Sequence, residues 1–166
     1  MRAACALERH RPTQHTLAPT PTHPRRYYDA NGRAPLFEFG FGLSFSNVSF
    51  SGLRVEGAVT AAGGNATVHA QLALTGGPAG AAVAQLYARY PASCDGEPLR
   101  LVSFAKAELT PGAPTRALTF TLRASDLRVF NVATDAFELC PGTYTLYLAA
   151  SSRDFREHVV FPVARG

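Results

Sequence analysis

Apolar and polar residues alternate with a period of two along most of this chain from Asn47 onward. In "ATVHAQLALT", Val68, Ala70, Leu72 and Leu74 fall on one face, as expected for a strand with one buried side. The same period recurs in "AAVAQLYARY", "TRALTFTL" and "GTYTLYLAAS". A helical period of 3.6 would scatter these residues around an axis, so the pattern favours strands.

Turn-forming residues separate these segments at intervals of about ten residues. "AAGGN", "GGPAG" and "TPGAP" are such turns, and Ser51-Gly52 indicates a bulge inside the first strand. A segment at 125–131, "SDLRVFN", is expected to form one helical turn capped by Ser125. About seven short strands with this spacing predict an all-β, antiparallel sandwich of the immunoglobulin or fibronectin type III kind.

Tyr144 lies just inside a late strand of this predicted sandwich. Such sandwiches often place a tyrosine there whose hydroxyl bonds back to the backbone. A core tyrosine with a solvated hydroxyl is the alternative, and the sequence does not separate the two.

The chain divides into three regions by composition. Residues 1–26 contain Pro, Thr and His without periodicity, which predicts an irregular, flexible segment. Its histidines lack metal-ligand spacing, so they are expected to be solvated loop residues. Residues 27–46 form a linker motif, and residues 47–166 are expected to form the sandwich.

The net positive charge of the chain comes entirely from its first 34 residues. Residues 1–34 contain six arginines and two acidic residues, whereas the remainder contains ten basic and ten acidic residues. A nucleic-acid-binding fold would carry a basic face on its body, so this class of partner is not expected. The first ten residues, "MRAACALERH", do not form a signal peptide, and no segment is long and apolar enough to suggest a membrane partner.

The densest apolar stretch is "PLFEFGFGLSF", residues 35–45. Its four phenylalanines, Phe37, Phe39, Phe41 and Phe45, exceed what one sandwich can bury in its own core. Gly40 and Gly42 allow close backbone approach. We therefore expect one side of this stretch to pack against another domain, and Glu38 to have a structural partner such as an arginine.

The ordered motifs resemble the C-terminal fibronectin type III-like domain of glycoside hydrolase family 3, the β-glucosidases and β-xylosidases. "PLFEFGFGLSF" is similar to the Pro-Phe-Gly-x-Gly-Leu-Ser-Tyr segment that leads into that domain. "AAVAQLYARYP", "LVSFAKAELTPGAPTRALTFTLRASDL" and "CPGTYTLYLAASSRDFR" are similar to its later strands. The likeness covers about residues 25–163. Ser103, Phe45 and Ala150 stand where the family usually has Gly, Tyr and Gly.

The resemblance implies an accessory domain of an O-glycosyl hydrolase. In the family, the nucleophilic aspartate and the acid/base residue belong to upstream domains that this chain does not match, so no catalytic residue, metal or cofactor is assigned here. Asp95, Glu97 and Asp154 are expected to be turn acids. The chain is interpreted as a fragment whose partners are the catalytic domains of its parent, with polysaccharide as a further candidate.

Cys94 and Cys140 are the candidates for a disulfide. In a fibronectin-type sandwich they would lie at one pole, after one strand and before its antiparallel neighbour. Two free thiols in a reducing cell are the alternative, whereas a secreted parent favours the bridge. Cys5 is left over. Two candidate glycosylation sequons, at Asn47 and Asn65, also favour an extracellular or secretory parent, and Asn65, in a glycine-rich turn, is the better candidate of the two.

One further candidate surface is the outer face of the sheet, formed by Gln85, Tyr87, Arg89 and Tyr147. These residues could stack on sugar rings, seat the sheet on a catalytic domain, or form ordinary cross-strand pairs. The sugar-stacking interpretation corresponds to a different function, a free-standing carbohydrate-binding module. A lone sandwich also permits a protein-interaction role.

Overall fold

The computed structural model describes Tyr28 and residues 32–60, 62–94 and 99–164. It divides the chain into two compact units, Met1–Leu36 and Phe37–Gly166. In the first unit the Arg33 N–H donates to the Tyr28 carbonyl at 2.9 Å. The predictions for residues 1–26, including their histidines, and those for Cys5, Asp95 and Glu97 lie outside the described residues.

The second unit is a two-layer β-sandwich, as the sequence predicts. One layer is a three-stranded antiparallel sheet in the order β1-β2-β5. The other is a four-stranded antiparallel sheet in the order β4-β3-β8-β9. The strands are β1 (Asn47–Gly57), β2 (Asn65–Gly76), β3 (Gly80–Arg89), β4 (Leu99–Leu109), β5 (Thr115–Arg123), β6 (Val129–Asn131), β7 (Ala136–Glu138), β8 (Gly142–Ala149) and β9 (Phe155–Val163).

The core lies between the two sheets and uses the alternation that the sequence shows. Val68, Ala70 and Leu72 of β2 are buried. On the neighbouring strand β5, Phe120 and Leu118 pair with Val68 and Ala70 and are buried on the same face of the sheet. The opposite layer supplies alternate residues of β3 and β8, including Leu86 and Leu146, which are fully buried. Each buried leucine of this kind contributes about 2–3 kcal/mol to the free energy of folding.

Two local features correspond to predictions of the sequence. The β1–β2 register shifts between Ser51 and Arg54, and Gly52 has a φ of +71°, which confirms the bulge. A single 3₁₀ turn spans Ala124–Leu127, but its N-cap is Arg123 and not Ser125 as predicted. The Asp126 carboxylate accepts from the Arg123 N–H at 2.9 Å. The chain then forms the short β6–β7 hairpin, where the sequence predicted only the end of a helical turn.

The Tyr144 hydroxyl bonds back to the backbone, which confirms the first of the two interpretations. The side chain is fully buried, and its hydroxyl donates to the Cys140 carbonyl at 2.8 Å. The Tyr90 ring packs edge-on against it at 5.2 Å between centroids. Burial, with an added effect of Tyr90, raises the pKa of Tyr144 to about 12.

Replacing Tyr144 with phenylalanine is expected to lower the free energy of unfolding by about 1–2 kcal/mol at pH 7, because the Cys140 carbonyl loses its donor. The pKa of Tyr144 is higher in the folded state, so its contribution is complete below about pH 10 and declines as the pH rises toward 12. The wild-type protein should therefore lose on the order of 1–2 kcal/mol more than Y144F over this interval. Urea denaturation at pH 7, 9 and 11.5 measures both quantities, and parallel pH dependence of the two proteins would contradict the assignment.

Candidate docking surface

A row of exposed apolar side chains precedes β1. We call residues Phe37–Phe45 the aromatic strap. Its apolar side chains occupy alternate positions and range from 46% exposed at Phe41 to 93% exposed at Phe45. The rings of Phe37 and Phe41 contact each other at 5.3 Å between centroids. Contiguous exposed apolar patches of this kind mark interaction surfaces on soluble proteins.

Polar contacts fix the strap to the loop that joins β8 to β9. The Ser152 N–H donates to the Phe39 carbonyl at 2.8 Å, and the Ser151 hydroxyl donates to the Glu38 carboxylate at 2.9 Å. The Phe41 N–H donates to the Glu38 carbonyl at 3.1 Å. The backbone of the strap is thus hydrogen-bonded to the sandwich while its rings remain exposed.

Gly40 brings the strap directly onto the four-stranded sheet. Its φ is +84°, a conformation that favours glycine, and an added Cβ would overlap the Gln85 side-chain amide. Gln85 is itself held from two sides: its amide N–H donates to the Ala150 carbonyl at 3.0 Å, and its oxygen accepts from the Tyr87 hydroxyl at 2.6 Å. This buried network fixes the position at which the strap crosses β3.

The end of the strap is held at the β2–β3 turn. Gly77 has a φ of +84°, and an added Cβ would overlap the Phe45 carbonyl oxygen. The next residue, Ser46, donates from its hydroxyl to the Pro78 carbonyl at 2.8 Å. Between this end of the strap and β1 runs a groove of about 700 Å³, lined in part by Leu43, Ser44 and Asn47.

The expectation of an open face at Gln85 and Tyr87 is wrong. Ala84 to Ala88 are all buried, and Tyr87 is 0% exposed. The strap approaches this face at Gln85, and the Phe155 ring packs edge-on against Tyr87 at 6.0 Å between centroids. These two side chains are therefore unavailable to a sugar ring.

Tyr147 and Arg89 lie beside this buried network and interact with each other. The Arg89 guanidinium lies over the Tyr147 ring at 5.2 Å from its centroid, and the Phe155 ring lies 4.9 Å from that ring. His158 contacts the same ring at 5.9 Å. Tyr147 is half-buried in this cluster. Its contacts are those of a cross-strand pair, and its ring does not form an open platform for stacking on a sugar.

Cys94 and Cys140 are joined by a disulfide, with 6.0 Å between their Cα atoms. It links the segment after β3 to the segment before β8. These two strands are antiparallel neighbours in the sheet. The strap contacts the loop after β8 and the turn before β3, whereas the disulfide follows the end of β3 and precedes β8, so the two features lie toward opposite ends of the sandwich.

Three acidic side chains near the strap and β9 have structural partners. Asp154 accepts from Arg156 at 2.6 Å, and Glu157 accepts from the Leu53 N–H at 2.8 Å, which connects β9 to β1. Glu38 has the hydroxyl of Ser151 as a partner. Among the residues that the structure describes, no three His, Cys, Asp or Glu side chains cluster as metal ligands. The surface thus presents aromatic rings on a polar framework.

The described part of the chain contains no helix that is both long and apolar enough to cross a membrane. Both sequon asparagines, Asn47 and Asn65, are exposed.

Comparison with known proteins identifies the domain. Residues 82–152 match the family described as the fibronectin type III-like domain. The chain is 37% identical over 162 residues to the probable β-glucosidase L of Aspergillus fumigatus, a match that covers 85% of this chain and 21% of that protein. The chain carries the fibronectin type III-like domain of the family 3 glycoside hydrolases.

Solved structures agree with this assignment of the fibronectin type III-like domain. The β-D-glucoside glucohydrolase of Trichoderma reesei superposes with a TM-score of 0.76 at 32% identity, covering 84% of this chain and 22% of that one. The family 3 β-glucosidase of Bifidobacterium adolescentis superposes with a TM-score of 0.74 at 28% identity, covering 83% and 20%. The chain spans about a fifth of the length of the curated relatives that it matches.

Proposed function

We propose that this fibronectin type III-like domain is a non-catalytic accessory domain that packs against the catalytic domains of a family 3 glycoside hydrolase through its aromatic strap. The observation that carries the proposal is a set of exposed rings on a backbone that the sandwich already holds. Covering four phenylalanine side chains stabilises an interface by roughly 1.5–3 kcal/mol each. The matched relatives are about five times longer than the matched segment, so the rest of such a chain is the natural cover.

The parent enzyme is proposed to act on β-linked glucosides, because the relatives named above are β-glucosidases or a β-D-glucoside glucohydrolase. β-Xylosides are the alternative substrate class that the family resemblance allows. The disulfide and the exposed sequons support an extracellular or secretory location for that parent. Residues 1–26 are proposed as an irregular leading segment, 27–46 as the interdomain linker and 47–166 as the sandwich.

A chimera tests the strap as a docking surface. This chain replaces the matching segment of the Aspergillus fumigatus β-glucosidase L, and Phe37 is changed to serine in the chimera and in the isolated chain. We expect F37S to destabilise the chimera by about 1.5–3 kcal/mol but the isolated chain by less than about 0.5 kcal/mol, because only the chimera covers the ring. Chemical denaturation and the residual activity after heating measure the difference.

Phe137 provides a matched control for this experiment. It is 66% exposed, against 65% for Phe37, and it contacts Phe130 at 5.2 Å between centroids, much as Phe37 contacts Phe41. F137S should change the stability of the chimera and of the isolated chain by the same amount. Equal effects of F37S and F137S in the chimera would contradict docking through the strap. Retardation of the isolated chain on a glucan affinity gel, abolished by F37S, would instead support a carbohydrate-binding module.

A further inference from the structure

The two sequons lie at opposite ends of the β1–β2 hairpin. Asn47 begins β1 and pairs with Gly76, whereas Asn65 begins β2 at the turn end. The eleven residues of β1 separate them by about 30 Å. We propose that Asn65 is the N-glycan attachment site of this domain and that Asn47 stays unmodified. This proposal does not depend on which partner covers the strap.

Asn65 has the surroundings that an attached glycan needs. It is exposed and follows a turn in which Gly63 and Gly64 have φ values of +131° and +105°. Within the described part of the chain its side-chain amide makes no hydrogen bond, so an attached sugar displaces no internal contact. The third sequon residue, Thr67, is partly exposed on the same strand. A glycan here extends from the end of the hairpin that lies away from the strap.

Asn47 is placed differently, although it is also exposed. Its side-chain nitrogen lies against Gly76, close enough that an added Cβ there would be 3.5 Å away. Asn47 also lines the groove between the strap and β1, together with Leu43 and Ser44. A sugar on this nitrogen would begin beside the groove and the end of the strap, where the surface is more crowded than at Asn65. We therefore expect the secreted protein to carry sugar at Asn65 alone.

The modification is a group transfer in the secretory pathway. The Asn65 amide nitrogen attacks the anomeric carbon of an oligosaccharide carried on a polyprenyl diphosphate. A carbon–nitrogen bond forms, the bond from that carbon to the diphosphate oxygen breaks, and the amide loses one proton. The donor is found in the compartment in which disulfides such as Cys94–Cys140 form and persist.

Expression of the full chain behind a cleavable secretory leader in a eukaryotic host tests the proposal. The intact mass of the secreted protein is measured before and after treatment with peptide-N-glycosidase. We expect the wild type and N47Q to lose the same glycan mass and N65Q to lose none. T67S keeps the sequon and should stay modified, whereas T67A keeps Asn65 but should lose the glycan. An unmodified wild type, a glycan that survives in N65Q, or a glycan lost in N47Q would overturn the proposal.

Urea denaturation of the enzymatically deglycosylated proteins provides the folding control. N65Q should unfold at the same urea concentration as the deglycosylated wild type, since the side chain is exposed at a turn. This outcome separates loss of the glycan from loss of the fold. The result is also independent of the chimera experiment, because F37S leaves both sequons intact.

Discussion

Replacing both Cys94 and Cys140 with alanine is expected to lower the free energy of unfolding by about 4 kcal/mol. The bridge spans 46 residues, and in the chain-entropy model a cross-link over such a loop removes many conformations from the unfolded chain. Domains of this size are stable by only about 5–15 kcal/mol, so the loss is a large share of the total. Urea denaturation at pH 7 with tryptophan-independent detection, such as far-ultraviolet circular dichroism, measures it, since the chain has no tryptophan.

Two controls isolate the cross-link from the substitutions. Reductant should weaken the wild type to about the level of the double variant and leave the double variant unchanged. C5A should match the wild type, and the wild type should show a single reactive thiol after denaturation. A double variant within about 1 kcal/mol of the wild type would contradict a stabilising bridge.

Replacing Tyr87 with alanine is expected to cost about 3–5 kcal/mol of folding free energy. The ring is fully buried and packs against the Phe155 ring, so its removal leaves a cavity. The Gln85 oxygen also loses the hydroxyl that donates to it at 2.6 Å. Y87F, which removes only that hydroxyl, should cost about 1–2 kcal/mol. Equilibrium urea unfolding of the isolated chain measures both.

Tyr147 is the matched control, because it is a tyrosine in register with Tyr87 on the neighbouring strand but only half-buried. Y147A should cost clearly less than Y87A. Equal losses of stability in the two variants would contradict the expectation that the burial of Tyr87 makes its removal the costlier change. A carbohydrate-binding assay on Y87A is informative only alongside this stability measurement.

The sequence predicts the layers of this domain because its strands are regular. The period of two in β2, β5 and β8 assigns inward residues such as Leu72, Phe120 and Leu146 correctly, since each strand has one face toward the core. The disulfide partners do not follow from this period. They are expected from the strand order of a fibronectin-type sandwich, and the observed pairing of β3 with β8 brings the end of one strand beside the start of the other.

The period of two does not reveal what covers the other face. It places Gln85 and Tyr87 opposite the core, but the strap segment that packs there comes from residue 40, far away in the chain. The β6–β7 hairpin is missed for a different reason: strands of three residues are too short to show a period. The pairing of β3 with β4 shifts between Leu86 and Tyr87 of β3. Val102 of β4 is skipped in this register, so it falls out of the alternation of its strand.

The bond from Ser152 to Phe39 has a consequence for assembly. Because the sandwich already immobilises the strap, little conformational entropy remains to be lost when a partner closes over its rings. The entropy cost of ordering the strap is already met when the domain folds. Burial of its apolar side chains therefore contributes more fully to the free energy of binding.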